Sequence, residues 1–410
     1  MATEHHDRRL YEHLRRYNDC SYVNEFFVLT RNEQLLGSAN QHKSNFRVHF
    51  LFIVYTLVSA LLLIINLVHK HKIDDSKELA VARVAREKDR IMNVRPGLQF
   101  IGDNIKNRDF TIYRIGNRYS RLMFLCTSYV KLCLRDFYTI KDILRDEQLF
   151  PNRLAFLSWY VNRIPHTVVY GNAVENVISS YPFSDVYIGA THDRFALVTG
   201  RITNKYNKRL ICIPHGVETT VKMPGGYVGD VFYCSSLEMA EKLNNVYETS
   251  KFTFDQEVTI RMYQVKKSVS DHYRDREKHF VFFTQPSFAE RTKNIIVMIA
   301  NHLKTKNQKL YLKLHPIDNP LDFVVENTEF INDFRESIIG NVCISTLSTA
   351  LLEAIYNDST PITVIRLISD TDVLTGHSEY LNDKRIFKPK DERALIELID
   401  YIIVEHDKLK

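Results

Sequence analysis

The chain has 410 residues, 45% of them hydrophobic and 25% charged, with a formal net charge of +6. That length admits two domains with extensions, and the composition is that of a globular protein rather than a disordered one. A charge so mild and so scattered excludes the dense basic surface of a nucleic-acid binder. The 13 glycines argue against glycine-rich phosphate loops as the main device, and the six cysteines include no C-x-x-C pair. Cys212, Cys234 and Cys343 fall in apolar strand-like runs, where a buried thiol in a reducing compartment is expected.

In chain order, residues 1–49 read as a polar tail with one helix near Arg8 to Tyr17. Phe50 to Val68 (FLFIVYTLVSALLLIINLV) carries no charge, and at about 1.5 Å per residue it reaches roughly 28 Å, enough to span a bilayer core. Downstream lie Lys70, Lys72, Lys77, Arg83, Arg86 and Lys88, against Arg31, Lys43 and Arg47 upstream. The positive-inside rule then places the bulk of the chain on the cytoplasmic face of the membrane, the inner membrane in a bacterium. Residues 69–97 are expected to form a helical linker, since Asp75 or Ser76 can cap apolar positions recurring at helical spacing over 75–92.

From Leu98 strand-like and helix-like runs alternate. LQFIG, HTVVYG, DVYIGA, RLICIPHG and DVFYCSS read as strands, with AVENVISSY, RFALVTGRITNKY and LEMAEKLNNVY as helices. After a polar stretch the pattern restarts with strands HFVFFTQP, KLYLKLHP, NVCIS and PITVIRL, and with helices beginning at Glu290, Thr349 and Asp391. Continuous apolar strands alternating with amphipathic helices predict parallel sheets covered on both faces. The expected architecture is α/β: a Rossmann-like domain over 98–260 and a second over 261–410, facing a cleft where strand C-terminal ends bind ligands.

The chemistry-bearing residues cluster at strand ends. His315-Pro316 ends KLYLKLHP; an imidazole there suits phosphate contact or protonation of a leaving phosphate. Ser345, Thr346, Ser348 and Thr349 put four hydroxyls in five residues where a strand turns into a helix. A single N-cap needs one of them, and a helix N-terminus favours an anion. Glu353 follows in that helix and suits ribose hydroxyls. Thr284 and Gln285 follow the first strand of the second half. In the first half, His215-Gly216 ends RLICIPHG, and histidine suits general-base work near neutral pH. Asp193, after DVYIGA, is the rival base. No zinc or other metal motif is present.

The strand ending at His315-Pro316, followed some thirty residues on by the Ser/Thr cluster and Ala350-Leu351-Leu352-Glu353-Ala354, resembles the bacterial GT-B group of polysialyltransferases, capsule sialyltransferases and CDP-glycerol glycerophosphotransferases. The resemblance implies that His315, Pro316, Ser345, Thr346, Ser348 and Thr349 bind the phosphate of a CMP- or CDP-linked donor, and that His215 is the base. The expectation is then a membrane-anchored, metal-independent glycosyltransferase of surface polysaccharide assembly. It would move a sugar from a nucleotide-activated donor to a glycan or lipid-linked glycan acceptor. Polyol-phosphate transfer and a non-catalytic membrane scaffold are the alternatives.

Overall fold

The computed structural model describes residues 2–31, 44–66, 78–83, 85–101, 129–180, 182–216, 218–264, 278–285, 289–315, 318–368, 381 and 383–408. The chain divides into two compact units. Unit 1 comprises Met1–His215, Lys222–Tyr233 and Leu243–Thr253; unit 2 comprises Gly216–Val221, Cys234–Lys242 and Phe254–Lys410.

Unit 1 begins with helices α1 (Ala2–Arg15), α2 (Val23–Arg31) and α3 (Asn45–Asn66). It continues through β1 (Glu78–Val81), α4 (Ala85–Val94), β2 (Gln99–Ile101), α5 (Val130–Ile143), α6 (Arg153–Tyr160), α7 (Arg163–Ser180), β3 (Asp185–Ile188), α8 (Arg194–Lys205) and β4 (Arg209–Cys212). Strands β5 (Val231–Tyr233) and β6 (Phe252–Thr253) complete its sheet, joined by α9 (Leu237–Tyr247). The sheet order is β2-β1-β3-β4-β5-β6, and each neighbouring pair is parallel. Parallel strands need covered faces, which is why Leu79, Val81, Val186, Ile188, Leu210 and Phe232 are all buried.

Unit 2 contains α10 (Gln256–Tyr263), β7 (Phe280–Phe283), α11 (Ala289–Thr305), β8 (Leu310–Lys313), β9 (Thr328–Phe330), α12 (Phe334–Ile338), β10 (Val342–Ser345), α13 (Ala350–Ile355), β11 (Thr360–Thr363), α14 (Ile365–Ile368) and α15 (Glu392–Lys408). Its sheet runs β11-β10-β7-β8-β9, again parallel throughout. The central strands β7 and β10 are buried at every position, in the register Phe280–Val342 to Phe283–Ser345. Successive residues point to opposite faces. Phe280, Phe282, Val342 and Ile344 therefore join Ile296, Ile299 and Leu303 of α11 with Leu395 and Ile399 of α15. Val281, Phe283 and Cys343 join Ile338, Ala350 and Ala354 on the other face. The expected pair of parallel α/β sheets is present, one in each unit.

Four local readings change. Glu78–Val81, expected within a helical linker, is strand β1, paired with both β2 and β3; a four-residue apolar run preceding a helix satisfies either period until its neighbours are known. HTVVYG, expected as a strand, lies inside the continuous helix α7. Residues 1–49, expected as a tail, contribute α1 and α2 to unit 1. Asn24 of α2 donates through Nδ2 to the carbonyls of His192 and Gly226 at 2.7 and 2.9 Å, and its Oδ1 accepts from the Gly225 amide at 2.7 Å. Phe26 packs on Phe156 and Tyr160.

The fourth change concerns the expected membrane anchor. Among the described residues no helix is long and apolar enough to cross a membrane. Residues 67 and 68 of the expected span, and the side chains of 61–66, lie outside what is described. The apolar run belongs to α3, one face of which packs lengthwise on unit 1: Val48, Phe52, Thr56 and Ser59 are buried. The Phe52 ring stacks on Phe137 of α5 with centroids 4.3 Å apart, and the helix also packs on α6 and α7. The single-pass anchor, and the cytoplasm-facing placement derived from it, are overturned by this finding.

Candidate functional site

In unit 1 the polar groups gather where β1, β3 and β4 end. Glu87, in the first turn of α4, is wholly buried. Its Oε2 accepts the backbone N–H of Arg83 at 2.7 Å and its Oε1 meets the Arg83 guanidinium at 3.1 Å. A buried carboxylate requires such pairing. The same guanidinium reaches Asp193 Oδ2 at 2.7 Å. His215 Nδ1 lies 3.4 Å from the same Glu87 Oε1 and 2.8 Å from the Gly189 carbonyl. With Nδ1 donating to that carbonyl, Nε2 is the lone-pair nitrogen, and it has no partner among the described residues.

This packing depends on a missing side chain. A Cβ on Gly189 would lie 2.7 Å from both Cβ and Cγ of Glu87 and 3.2 Å from its Cα. Gly189→Ala should therefore push α4 from the sheet edge and destabilise the protein by about 1–3 kcal/mol. A urea midpoint unchanged from the parent would contradict this contact.

Asp193, the expected rival base, is the N-cap of α8: its Oδ1 accepts from the Ala196 amide at 2.9 Å. Burial pushes this carboxyl up, but Arg83, the Ala196 N–H and Arg194 outweigh it and hold the group below its ordinary range. Its oxygens are thus engaged as a cap and as the partner of Arg83.

Arg83 and Asp193 also line a cavity of about 650 Å³ in unit 1, together with Glu25, Trp159, Arg163, His166, His192 and Arg194. A volume of this size suits a small-molecule ligand. Arg194 is paired with Glu25 at 2.7 Å, and the guanidinium carbons of Arg83 and Arg194 each lie 4.3 Å from the Phe195 ring centroid. Arg163 lies 3.6 Å over the Trp159 ring and has no carboxylate partner among the described residues. Burial, with Arg194 next, lowers Arg163 to about 10. The cavity therefore holds a cation in no direct ion pair among the described residues, with the Glu25 carboxylate acting on it from a distance.

His166 is buried beside it, and burial, with Arg194, Arg83 and Arg163 nearby, pushes its imidazole down to about 4. A histidine whose folded pKa is depressed stabilises the fold above its ordinary pKa of about 6.5, and that stability is lost as pH falls toward 4. About 2 kcal/mol should be lost between pH 7 and about pH 5 through this group. His166→Phe should flatten that part of the profile in urea titrations; an unaltered profile would show that the loss lies elsewhere.

In unit 2 the expected donor-binding residues are distributed over three strand ends. After β7, Thr284 Oγ1 donates to Asp318 Oδ2 at 2.5 Å and accepts the His315 backbone N–H at 2.8 Å. The same Asp318 oxygen lies 3.3 Å from that N–H. Thr284 and His315 are thus joined, with Asp318 as a third member the sequence reading did not include. Pro316 lies outside the described residues. After β10, the Ser345 hydroxyl donates to the Phe283 carbonyl at 2.7 Å and acts as a strand-to-strand tie. Thr346 is buried, and its Oγ1 has no partner among the described residues. Ser348 and Thr349 are half-buried. Ser348 Oγ accepts from the Ala350 amide at 3.2 Å, and Thr349 is the N-cap of α13 without a side-chain cap bond. Glu353 is buried; Gln285 is half-buried.

None of Glu87, Arg83, Arg163 and His166 was expected in the site from the sequence. Their signal was weak, because Glu87 and Arg83 sat in a segment read as linker and His166 in a presumed strand. Among the described residues no group of three or more His, Cys, Asp or Glu could hold a metal ion.

These features define an α/β protein of two parallel-sheet units, with polar residues at the carboxyl edges of both sheets. No family model and no curated protein matches the chain. Solved structures similar to it include a UDP-GlcNAc 2-epimerase from Neisseria meningitidis bound to UDP-GlcNAc, 11% identical, with a TM-score of 0.48 over 81% of this chain and 93% of that one. The S. aureus MnaA–UDP structure is 9% identical, with a TM-score of 0.42 over 80% and 88%. A putative UDP-N-acetylglucosamine 2-epimerase from Listeria monocytogenes is 12% identical, with a TM-score of 0.45 over 82% and 90%. With no family model matching either, the expected resemblance to polysialyltransferases, capsule sialyltransferases and glycerophosphotransferases is corrected. The expected membrane glycosyltransferase with a CMP-linked donor, in capsule or other surface polysaccharide assembly, falls with it.

Proposed function

We propose that this chain is an enzyme that binds a nucleotide-activated sugar and moves a proton on the sugar, an isomerase rather than a transferase. The reading rests on the chain's own residues, and one observation carries it. A polar cavity in unit 1 is lined by Asp193 and Arg83, and Arg83 is paired with the buried Glu87, which stands beside an imidazole whose Nδ1 is tied down. His215 Nε2 takes a proton from a sugar carbon, breaking its C–H bond, and the imidazolium returns a proton, exchanged with solvent, to re-form it. Glu87, 3.4 Å from Nδ1, stabilises the imidazolium that results. Arg163 meets the ligand's phosphate in the cavity, with Arg83 and Arg194 beside it, a charge-stabilising role that needs no other cation.

The test is to incubate the full chain with UDP-GlcNAc in D2O, without acceptor, and follow the sugar ring protons by NMR. Deuterium entering one ring position, with a second UDP-linked sugar appearing, is the expected result. Binding of UDP without exchange would leave a nucleotide-binding protein and sink the proton-transfer reading. Neither exchange nor stabilisation by UDP would overturn the whole assignment.

A further inference from the structure

We propose that helices α3 and α5 together form a face that lies on an anionic lipid surface, in the plane of the interface and without crossing it. The observation is an apolar stripe turned outward. On α3, Phe46, Phe50, Ile53 and Leu57 are 82%, 55%, 56% and 57% exposed. Their spacing of four, three and four residues puts them on one side of the helix, opposite the buried Val48, Phe52, Thr56 and Ser59. On α5, Val130, Leu134 and Tyr138 are likewise exposed at four-residue spacing. The two helices are neighbours. Phe137 contacts both His49 and Phe52, while Tyr129 donates to the Thr56 carbonyl at 3.4 Å. As α3 ascends from 49 to 56, its partner descends from 137 to 129, so the helices lie antiparallel and their stripes are adjacent. Exposed apolar surface of this extent marks an interaction site.

The charges say which partner. Arg47 and Lys131 are exposed on the same two helices. Asn45–Asn66 contains no Asp or Glu. The two acids of α5 are neutralised at home: Asp136 pairs with Arg135 at 2.8 Å and Asp142 with Arg145 at 3.1 Å. The face is therefore apolar, aromatic and basic, as an amphipathic surface seated at the headgroup boundary is. A second copy fits poorly, because a two-fold contact would set the basic Arg47 and Lys131 faces against each other. The contact lies in the plane of the interface because Val48, Phe52, Thr56 and Ser59 are held by the protein. This inference does not depend on the proposed reaction.

The experiment is co-sedimentation of the full chain with vesicles of phosphatidylcholine alone or mixed with phosphatidylglycerol. Two variants accompany it: Phe46→Ser/Phe50→Ser/Leu57→Ser, and Arg47→Glu/Lys131→Glu. Both change exposed side chains, and an unchanged Tm will show that each is folded. The parent should favour anionic over neutral vesicles and be released by high salt, and each variant should bind at least roughly tenfold more weakly. No binding to either vesicle, or binding that both variants retain, would overturn the proposal. So would retention through alkaline carbonate, which would mean insertion. A lipid-free oligomer that the serine variant disperses would instead make the face a protein interface, and that too would overturn it.

Discussion

His215→Ala should lower the rate of proton exchange on the sugar by about 10²–10⁴-fold, the usual contribution of a positioned general base. The variant should remain folded, because the side chain is about a third exposed and its main link is one bond to the Gly189 carbonyl; losing such a bond costs only about 1 kcal/mol. Binding of UDP, read by thermal shift, should be unchanged, because Arg163 and not His215 meets the phosphate. Glu87→Gln provides the companion test. It keeps the shape of the side chain but removes the charge 3.4 Å from Nδ1, so kcat should fall while KM changes little. A merely structural Glu87 would instead lower stability and leave the turnover of the folded fraction intact. Parental exchange by His215→Ala would remove histidine from the reaction.

The second large effect is on stability. Phe282→Ala should cost about 3–5 kcal/mol, the range for emptying a fully packed aromatic site. Phe282 is completely buried in the middle of β7, pairs in register with Ile344 and Leu312, and belongs to the cluster built with α11 and α15. Parallel strands on both sides and helices above leave little freedom for collapse into the void. Urea denaturation followed by far-UV circular dichroism should show the midpoint falling with little change in slope. A loss below about 1 kcal/mol would mean that the site relaxes, as some large-to-small sites do.

The core of unit 2 was legible because its strands are buried on both faces. FVFF has no polar residue and VCIS only the terminal Ser345 to mark an exposed side, and that pattern fits a central parallel strand better than a solvated one. The amphipathic helices α11 and α15 were legible for the complementary reason, a period near 3.6 sustained over 17 residues each. Short or ambiguous segments were not. ELAV is four residues long, and only its pairing with β2 and β3 makes it a strand. HTVVYG is rich in β-branched residues, yet it lies within α7, where Tyr170 bonds Thr199 of α8 at 2.6 Å; tertiary packing overrides local propensity.

The sequence by itself determined the two parallel α/β sheets and pointed to strand ends as the places for polar chemistry, since apolar runs and hydroxyl or histidine stops are local patterns. His215 was among them, named from its position after RLICIP. Only the tertiary structure decided what stands next to it. Glu87 comes from a helix 128 positions earlier, and it reaches the imidazole because Gly189, on a third segment, carries no Cβ to keep α4 away. The same holds for α3. Its hydropathy alone reads as a membrane span, whereas the burial of Val48, Phe52, Thr56 and Ser59 against the protein leaves one apolar side. Hydropathy sums over all sides of a helix, and packing acts on one.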